Sequence, residues 1–422
     1  MVRSETGKAR QRALQDRTTI TRGKIVAGAI QVLAHVGVQG LTHRAVAKAA
    51  SVSLAATTYH FDTMTEIIEA TSRALLDEYL AGFRRLAARI MAGEERSIAS
   101  LGDLVERVVG NALGRDRTRS LAWCELILHG GRSPNGRSLA QSWYEQLDTI
   151  WYDIALLFDP TASRRAASAA VDMTVGLTFF LHPLGLDQAT AKEILDGRVD
   201  VATLLAGMSS SAPVQHEPAD SDAVTRYVET RQKVLQAAID VIVQDGAAGI
   251  SYGRIAYVMS MVRSGPSYYF PSIDELLQCA QMSFFARAKA RYRSSLAAHA
   301  PADIDEDRLL DLTTAIYFRE ALEFARENIG FYSVWMNAAQ NPALRPAVAS
   351  SLLDLDRAWT RRITAATGKP PDPAIPMRIQ ALFIGKVIRT IAASIEVADL
   401  SRAREDFAAV LRSGQPNTTL AL

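Results

Sequence analysis

The chain contains itself twice. Shifted by 209 residues, it lies on itself without a gap from Thr21 to Ala70. TRGKIVAGAIQVLAHVGVQGLTHRAVAKAASVSLAATTYHF covers TRQKVLQAAIDVIVQDGAAGISYGRIAYVMSMVRSGPSYYF. Arg22 falls on Arg231, Gly37 on Gly246, Gly40 on Gly249, Ala47 on Ala256, Tyr59 on Tyr268, Phe61 on Phe270 and Glu66 on Glu275; far downstream, Gly176 falls on Gly385. Such a period is too long for a solenoid unit and is the size of a whole domain, so two like units are expected. Between them lies GMSSSAPVQHEPADSDA, rich in Ser, Pro, Ala and Asp and without apolar periodicity, which reads as a flexible linker. The N-terminus sets Arg3, Lys8, Arg10, Arg12 and Arg17 against only Glu5 and Asp16, and reads as a mobile basic arm. The expected division is an arm at 1–18, a first head at 19–70, a first helical body at 71–206, a linker at 207–225, a second head at 226–280 and a second body at 281–415.

Within each unit the signals are helical, and the fold class expected is all-α. Ile25, Ala29, Val32, Leu33 and Val36 recur at helical spacing, and Gly37 stops that helix. Thr42 caps a second helix over roughly 43–50; Ser51-Val52 form a turn; Ser53 caps a short third helix ending near Tyr59-His60-Phe61. Thr63-Met64-Thr65-Glu66 is a capping box for a fourth. The second copy repeats the grammar with Gly246, Ser251 and Ser272-Ile273-Asp274-Glu275. Two short helices joined by a tight turn after a supporting helix make a helix-turn-helix, whose end fits a major groove about 12 Å wide. Phe61 and Phe270 read as core.

Composition removes other classes. The formal net charge is only +2, so nucleic-acid affinity has to come from local patches. Cys124 and Cys279 have no partner at metal or disulfide-framework spacing, which suits a reducing compartment. The N-terminal charge lacks the apolar stretch of a signal peptide, and no apolar run of spanning length is apparent; Arg378, Lys386 and Arg389 break the nearest candidate. A cytoplasmic protein without membrane contact is expected. There is no GxSxG, phosphate loop, HExxH or histidine spacing for a metal, so no catalytic residue, metal or cofactor is assigned.

The N-terminal pattern resembles the TetR family of bacterial repressors: an Ile/Ala-rich helix from Ile25 to Leu33, then Gly37, Leu41-Thr42, Val46-Ala47, Val52-Ser53 and Tyr59-His60-Phe61. The resemblance implies a DNA-binding head and a C-terminal helical part that binds a small molecule and dimerises. It also implies that Tyr59 and His60 touch phosphate. Family members usually carry one such unit and work as homodimers, whereas here both units share a chain.

Candidate DNA contacts in the first head are Arg44, Lys48, Ser53, Thr57, Thr58, Tyr59 and His60; in the second they are Arg254, Arg263, Ser264, Ser267, Tyr268 and Tyr269. Thr and His reach base edges, and Tyr bonds phosphate; the alternative for each is a solvated surface residue. The second head is weaker in charge. Lys48 becomes Tyr257 and Arg44 becomes Gly253, and Asp240 and Asp245 offset its cations, whereas residues 21–60 hold no acid. The first head is therefore expected to dominate. Trp123, Trp143, Phe179, Phe331 and Trp335 are candidate contacts for a small hydrophobic effector, although aromatics at helical spacing are more often core. The segments 164–181 and 376–397, centred on Gly176 and Gly385, read as dimerisation helices that could pair within one chain. That pairing gives a pseudo-dimer on an operator of unlike half-sites about 34–36 Å apart. A homodimer with four heads, or a helical interaction protein without DNA binding, are the rivals.

Overall fold

The structure is a computed structural model in which residues 2–209, 221–296, 304–394 and 402–413 are described. All regular elements among them are helices. The first, α1, runs from Val2 to Val36, so the segment expected as a mobile arm continues the first helix. Ile25, Ala29, Val32 and Leu33 are buried along one stripe. Gly37 ends α1 at φ 71°, a left-handed conformation that costs a glycine little. Helices α2 (His43–Ala50) and α3 (Leu54–His60) follow, with Thr42 and Ser53 each accepting a backbone N–H at 3.1 Å, from Ala45 and Ala56. In α4 (Met64–Met91), Thr63 accepts from Glu66 N, while the Glu66 carboxylate accepts from Asp62 N.

The first body continues with α5 (Leu101–Leu113), α6 (Arg117–Gly130), α7 (Pro134–Phe158), α8 (Arg164–Leu181), α9 (Gln188–Leu195) and α10 (Val201–Met208). Part of the expected linker, 210–220, lies outside the described residues; from Ser221 the chain is already helical. Helices α11 (Ser221–Asp245), α12 (Tyr252–Val258), α13 (Gly265–Tyr269) and α14 (Ile273–Leu296) then repeat the succession of α1 to α4. The left-handed Ser51 and Ser260, both at φ 53°, occupy the same place in the two turns. The second body comprises α15 (Glu306–Leu322), α16 (Ala325–Asn337), α17 (Arg345–Thr367), α18 (Ala374–Ala393) and α19 (Ala403–Arg412).

Helices α8 and α18 cross at the centre, and their glycines explain how closely. A Cβ on Gly176 would stand 1.6 Å from the carbonyl oxygen of Ala381, and one on Gly385 would stand 1.8 Å from that of Asp172. No side chain fits either place. The stretch Arg164–Leu184 is also long and apolar enough to cross a membrane, unlike the expectation from sequence, yet 94% of its apolar 18-residue window is buried inside the protein. Its apolarity is accounted for by burial in this core.

The crossing carries buried charge supplied from opposite sides. Asp172 on α8 accepts from Lys386 Nζ at 3.1 Å and from Arg389 Nε at 2.5 Å. Arg389 also forks onto Asp148 at 2.8 and 3.0 Å, and Lys386 reaches Asp406 at 2.6 Å. Arg389 lies over the Tyr144 ring as well, 4.4 Å from its centre. Although burial disfavours both cations, these carboxylates hold the Lys386 and Arg389 pKa values above their ordinary ranges.

One continuous core runs through both bodies and into the first head, where it takes in Ile25, Val46 and Phe61. The second head instead has a separate small core of Val234, Ala237, Ala238, Ile255, Phe270 and Leu276.

Candidate DNA-binding heads and ligand cavity

In the first head, Arg44, Lys48, Ser53, Thr58 and Tyr59 are all exposed, Tyr59 at 81%, and His60 is half-buried against the Tyr59 ring. They share the surface formed by the exposed sides of α2 and α3. Thr57 does not belong with them. It is wholly buried and its hydroxyl donates to Leu54 O at 2.7 Å, so it is a core residue of α3 rather than a DNA contact. Its counterpart Pro266 is buried too, which shows that this register of the third helix faces inward in both heads. Arg22 is a fastener. It donates to His60 O at 2.7 Å and lies 4.2 Å above the Phe61 ring.

The second head presents a different surface. Arg263, Ser264 and Tyr268 are exposed. Arg254 is half-buried and tied to Asp245 at 3.1 Å, so its charge is already partnered. Ser267 donates to Ser264 O, and Tyr269 packs against Tyr227 with ring centres 5.2 Å apart. Around them Tyr257, Val258 and Val262 are exposed where the first head has Lys48, Ala49 and Ser53. Two of the five residues of α13 are Gly265 and Pro266, and Ser264 does not cap it. Arg231 lies 4.3 Å above the Phe270 ring, as Arg22 does above Phe61, and Tyr252 adds a bond to Phe270 O at 2.6 Å.

The two bodies differ as sharply as the heads. Beneath the first head, α4, α5, α6, α7 and α8 enclose a cavity of about 690 Å³, within the usual range for small-ligand sites. Trp123 and Trp143 line it, together with Tyr79, Phe83 and Trp151, while Arg85, Arg89, Arg107, Arg115 and Arg119 ring its mouth. Trp143 Nε1 donates to Ser72 Oγ at 2.9 Å and Trp151 Nε1 to the Tyr79 hydroxyl at 3.3 Å, which fixes both indoles. Phe179 is not a cavity residue. It is fully buried with its ring 6.2 Å from that of Tyr332, between the two bodies. In the second body Phe331 and Trp335 do line a cavity, but its volume is only about 60 Å³.

The arginines are hidden in the sequence because charged positions on a helix look like solvated ones, and Tyr79 and Phe83 because aromatics at helical spacing look like ordinary core. The available signal was the i, i+4 recurrence of Arg85 with Arg89, which puts that pair on one face of α4; Arg115 lies in the turn between α5 and α6 and had no such signal. Among the described residues, no group of acidic, histidine and cysteine side chains suits a metal ion.

A three-helix head with an exposed, acid-free third-helix surface, set on a helical body with a cavity, is the arrangement of a helix-turn-helix transcriptional regulator. Residues 25–71 match the family model described as bacterial regulatory proteins, tetR family. A crystal structure described as the multidrug binding protein EbrR complexed with imidazole is 33% identical; the match covers 42% of this chain and 92% of that chain, with a TM-score of 0.30. No curated protein matches the chain. The first head, at residues 25–71, thus carries a helix-turn-helix domain of the tetR family of bacterial regulatory proteins, which supports a DNA-binding transcriptional regulator.

Proposed function

We propose that the chain is a ligand-responsive repressor made of two tandem tetR-like units, 19–206 and 226–415, which pair within one chain as a pseudo-dimer on an operator of unlike half-sites. The observation that carries this reading is the crossing of α8 and α18. Dimerising helices of the two units pack without room for a Cβ at Gly176 or Gly385, and the charges between them are one-sided. The positions matching Lys386 and Arg389 in the first unit are Leu177 and Phe180, and the position matching Asp172 in the second is Ala381. Two first units paired this way would bury aspartates without cations, and two second units would bury cations without Asp172. An unpaired buried charge is costly, so unlike pairing is favoured over like pairing.

The first head supplies most of the phosphate contacts in this reading, through Arg44, Lys48, Tyr59 and His60, and Thr58 reaches a base edge. The second head binds through Arg263, Ser264 and Tyr268, more weakly. Its exposed Tyr257, Val258 and Val262 favour a second reading of that head alone, as a surface that holds a protein instead of DNA. The test is a footprint on the DNA flanking the gene, with Tyr59→Ala and Tyr268→Ala alongside and the mass in solution measured by sedimentation. Unlike half-sites protected by a single chain, each weakened by one variant, support the pseudo-dimer. Protection lost only in Tyr59→Ala assigns the second head to another partner, two chains per operator means four heads, and no protection of this DNA or of a random pool overturns the reading.

A further inference from the structure

The cavity of the first body has a chemical polarity that selects among effectors. Its floor is apolar: Phe83, Trp143 and Trp151 are almost wholly buried there, at 7, 3 and 1% exposure. Its mouth is cationic. Arg119 pairs with Glu78 at 2.9 Å, Arg115 with Asp116 at 3.3 Å, and Arg89 and Arg107 share Glu95 at 3.3 Å each. Arg85 forms no ion pair among the described residues. Five arginines thus face three carboxylates, and a surplus of two positive charges borders an apolar hole. A lipophilic cation entering here would lose water against like charge. A carboxylate would meet planar guanidinium donors suited to it while its apolar part is buried.

The equivalent space in the second body is already filled. Thr174 and Val171, on the wall of the first cavity, are matched by Phe383 and Gln380, and about 60 Å³ remains. Benzene alone needs a cavity of about 150 Å³. The second body therefore has no room for the ligand that the first accepts.

We propose that this chain takes up one amphipathic organic anion, a carboxylate on an apolar body of about naphthyl size, in the first body alone. The assignment rests on the regulatory reading for its biological meaning but not for its test. The intact chain is titrated with 1-naphthaleneacetate and with the cation 1-naphthylmethylammonium, by quenching of the cavity tryptophans and by calorimetry. Arg85→Glu and Arg107→Glu are measured beside the parent, with circular dichroism to establish that both fold. The expected result is one equivalent of the anion, bound at least about tenfold tighter than the cation, with the preference lost or reversed in the variants. Equal or tighter binding of the cation, two equivalents of anion, indifference to charge reversal, or no binding of either probe would each overturn the assignment. DNA binding, measured separately, keeps the two ideas apart. A chain that binds the anion but no operator retains the cavity assignment and loses the regulatory one.

Discussion

Asp172→Asn tests the buried network that joins the two bodies. The Asp172 side chain is 4% exposed and receives both Lys386 and Arg389, whose side chains are 9% and 7% exposed. The amide keeps the volume and removes the charge. Each cation then retains one carboxylate, Asp406 at 2.6 Å for Lys386 and Asp148 at 2.8 Å for Arg389, so neither is orphaned. Removing one partner of a buried pair outright costs about 3–5 kcal/mol, and the remaining partners place this variant near the lower end, about 3 kcal/mol. With a urea m-value of about 3 kcal/mol/M, the unfolding midpoint falls by roughly 1 M. The assay is urea unfolding followed by both tryptophan fluorescence and circular dichroism, because a chain of two units need not unfold in one step. The variant Asp148→Leu, Asp172→Leu, Lys386→Met, Arg389→Met, Asp406→Leu serves as control, since replacing the whole network, including the carboxylates that Lys386 and Arg389 would otherwise leave behind, with apolar side chains recovers much of the loss. A midpoint shift below about 0.2 M for Asp172→Asn would refute the reasoning and leave helix packing alone as the bond between the bodies.

Acid should destabilise the chain through His182, which is fully buried beside Arg117 and within 2.8 Å of Ser120 Oγ. Burial, and then the Arg117 charge, depress its pKa from 6.5 to about 3, so the imidazole is neutral in the fold. Its contribution is fully present above pH 6.5 and is lost as pH falls toward 3, by about 3 kcal/mol at pH 4; His182→Gln should flatten that part of the stability-pH curve, and an unchanged slope would count against it. In the first head, Lys48→Ala should weaken operator binding about equally across sequences and lower the slope of log K against log salt by about 1, read by fluorescence anisotropy. Tyr257→Ala at the matching place should leave that slope unchanged.

Local signals were legible where short-range chemistry decides the outcome. The caps at Thr42, Ser53, Ser251 and Thr63 each receive the backbone N–H that their spacing calls for. Phe61 and Phe270 are buried, at 1% and 0% exposure. Failure began where orientation is set from a distance. On a helix as short as α3 no apolar period is long enough to fix the inward face, and Thr57 turns into the core. Phe179 and Trp143 are both aromatic and both buried, yet only the packing of α18 and α16 against α8 puts the first between the bodies and leaves the second on the cavity wall. The charge network was invisible for the same reason: Asp172 precedes its partners by 214 and 217 residues, and Arg389 reads in isolation as a break in an apolar run. In the basic arm, charge without apolar periodicity gave no sign that α1 runs through it.

One cavity can address two heads if a single segment touches all three, and α6 together with the residues that follow it does. Trp123 and Ser120 line the cavity, and on the same helix the Glu125 carboxylate accepts the backbone N–H of Val38, in the turn that links α1 to α2. Burial raises the Glu125 pKa while Arg132 opposes the shift. Just beyond the end of α6, Arg132 donates to Val243 O at 3.5 Å and to Ile329 O at 3.4 Å, and so reaches the end of α11 that supports the second head. A ligand that moves α6 therefore pulls on both heads, and the two turns already meet where Gly37 faces Ala248 and Gly249 faces Gln39. Coupling between sites is a free energy, typically about 1–3 kcal/mol, and it is lost when the linking contact is lost. Glu125→Ala removes the acceptor for Val38 and the partner of Arg132 without touching the cavity floor or the exposed faces of α2 and α3. The expected outcome is an unchanged Kd for 1-naphthaleneacetate, within about twofold, and a ratio of operator affinities with and without it that shrinks by about fivefold. Measuring both affinities on the same preparation separates loss of coupling from loss of fold. An unchanged ratio would mean that the signal travels through α4, which runs from the head into the cavity wall, and that α6 is only a support.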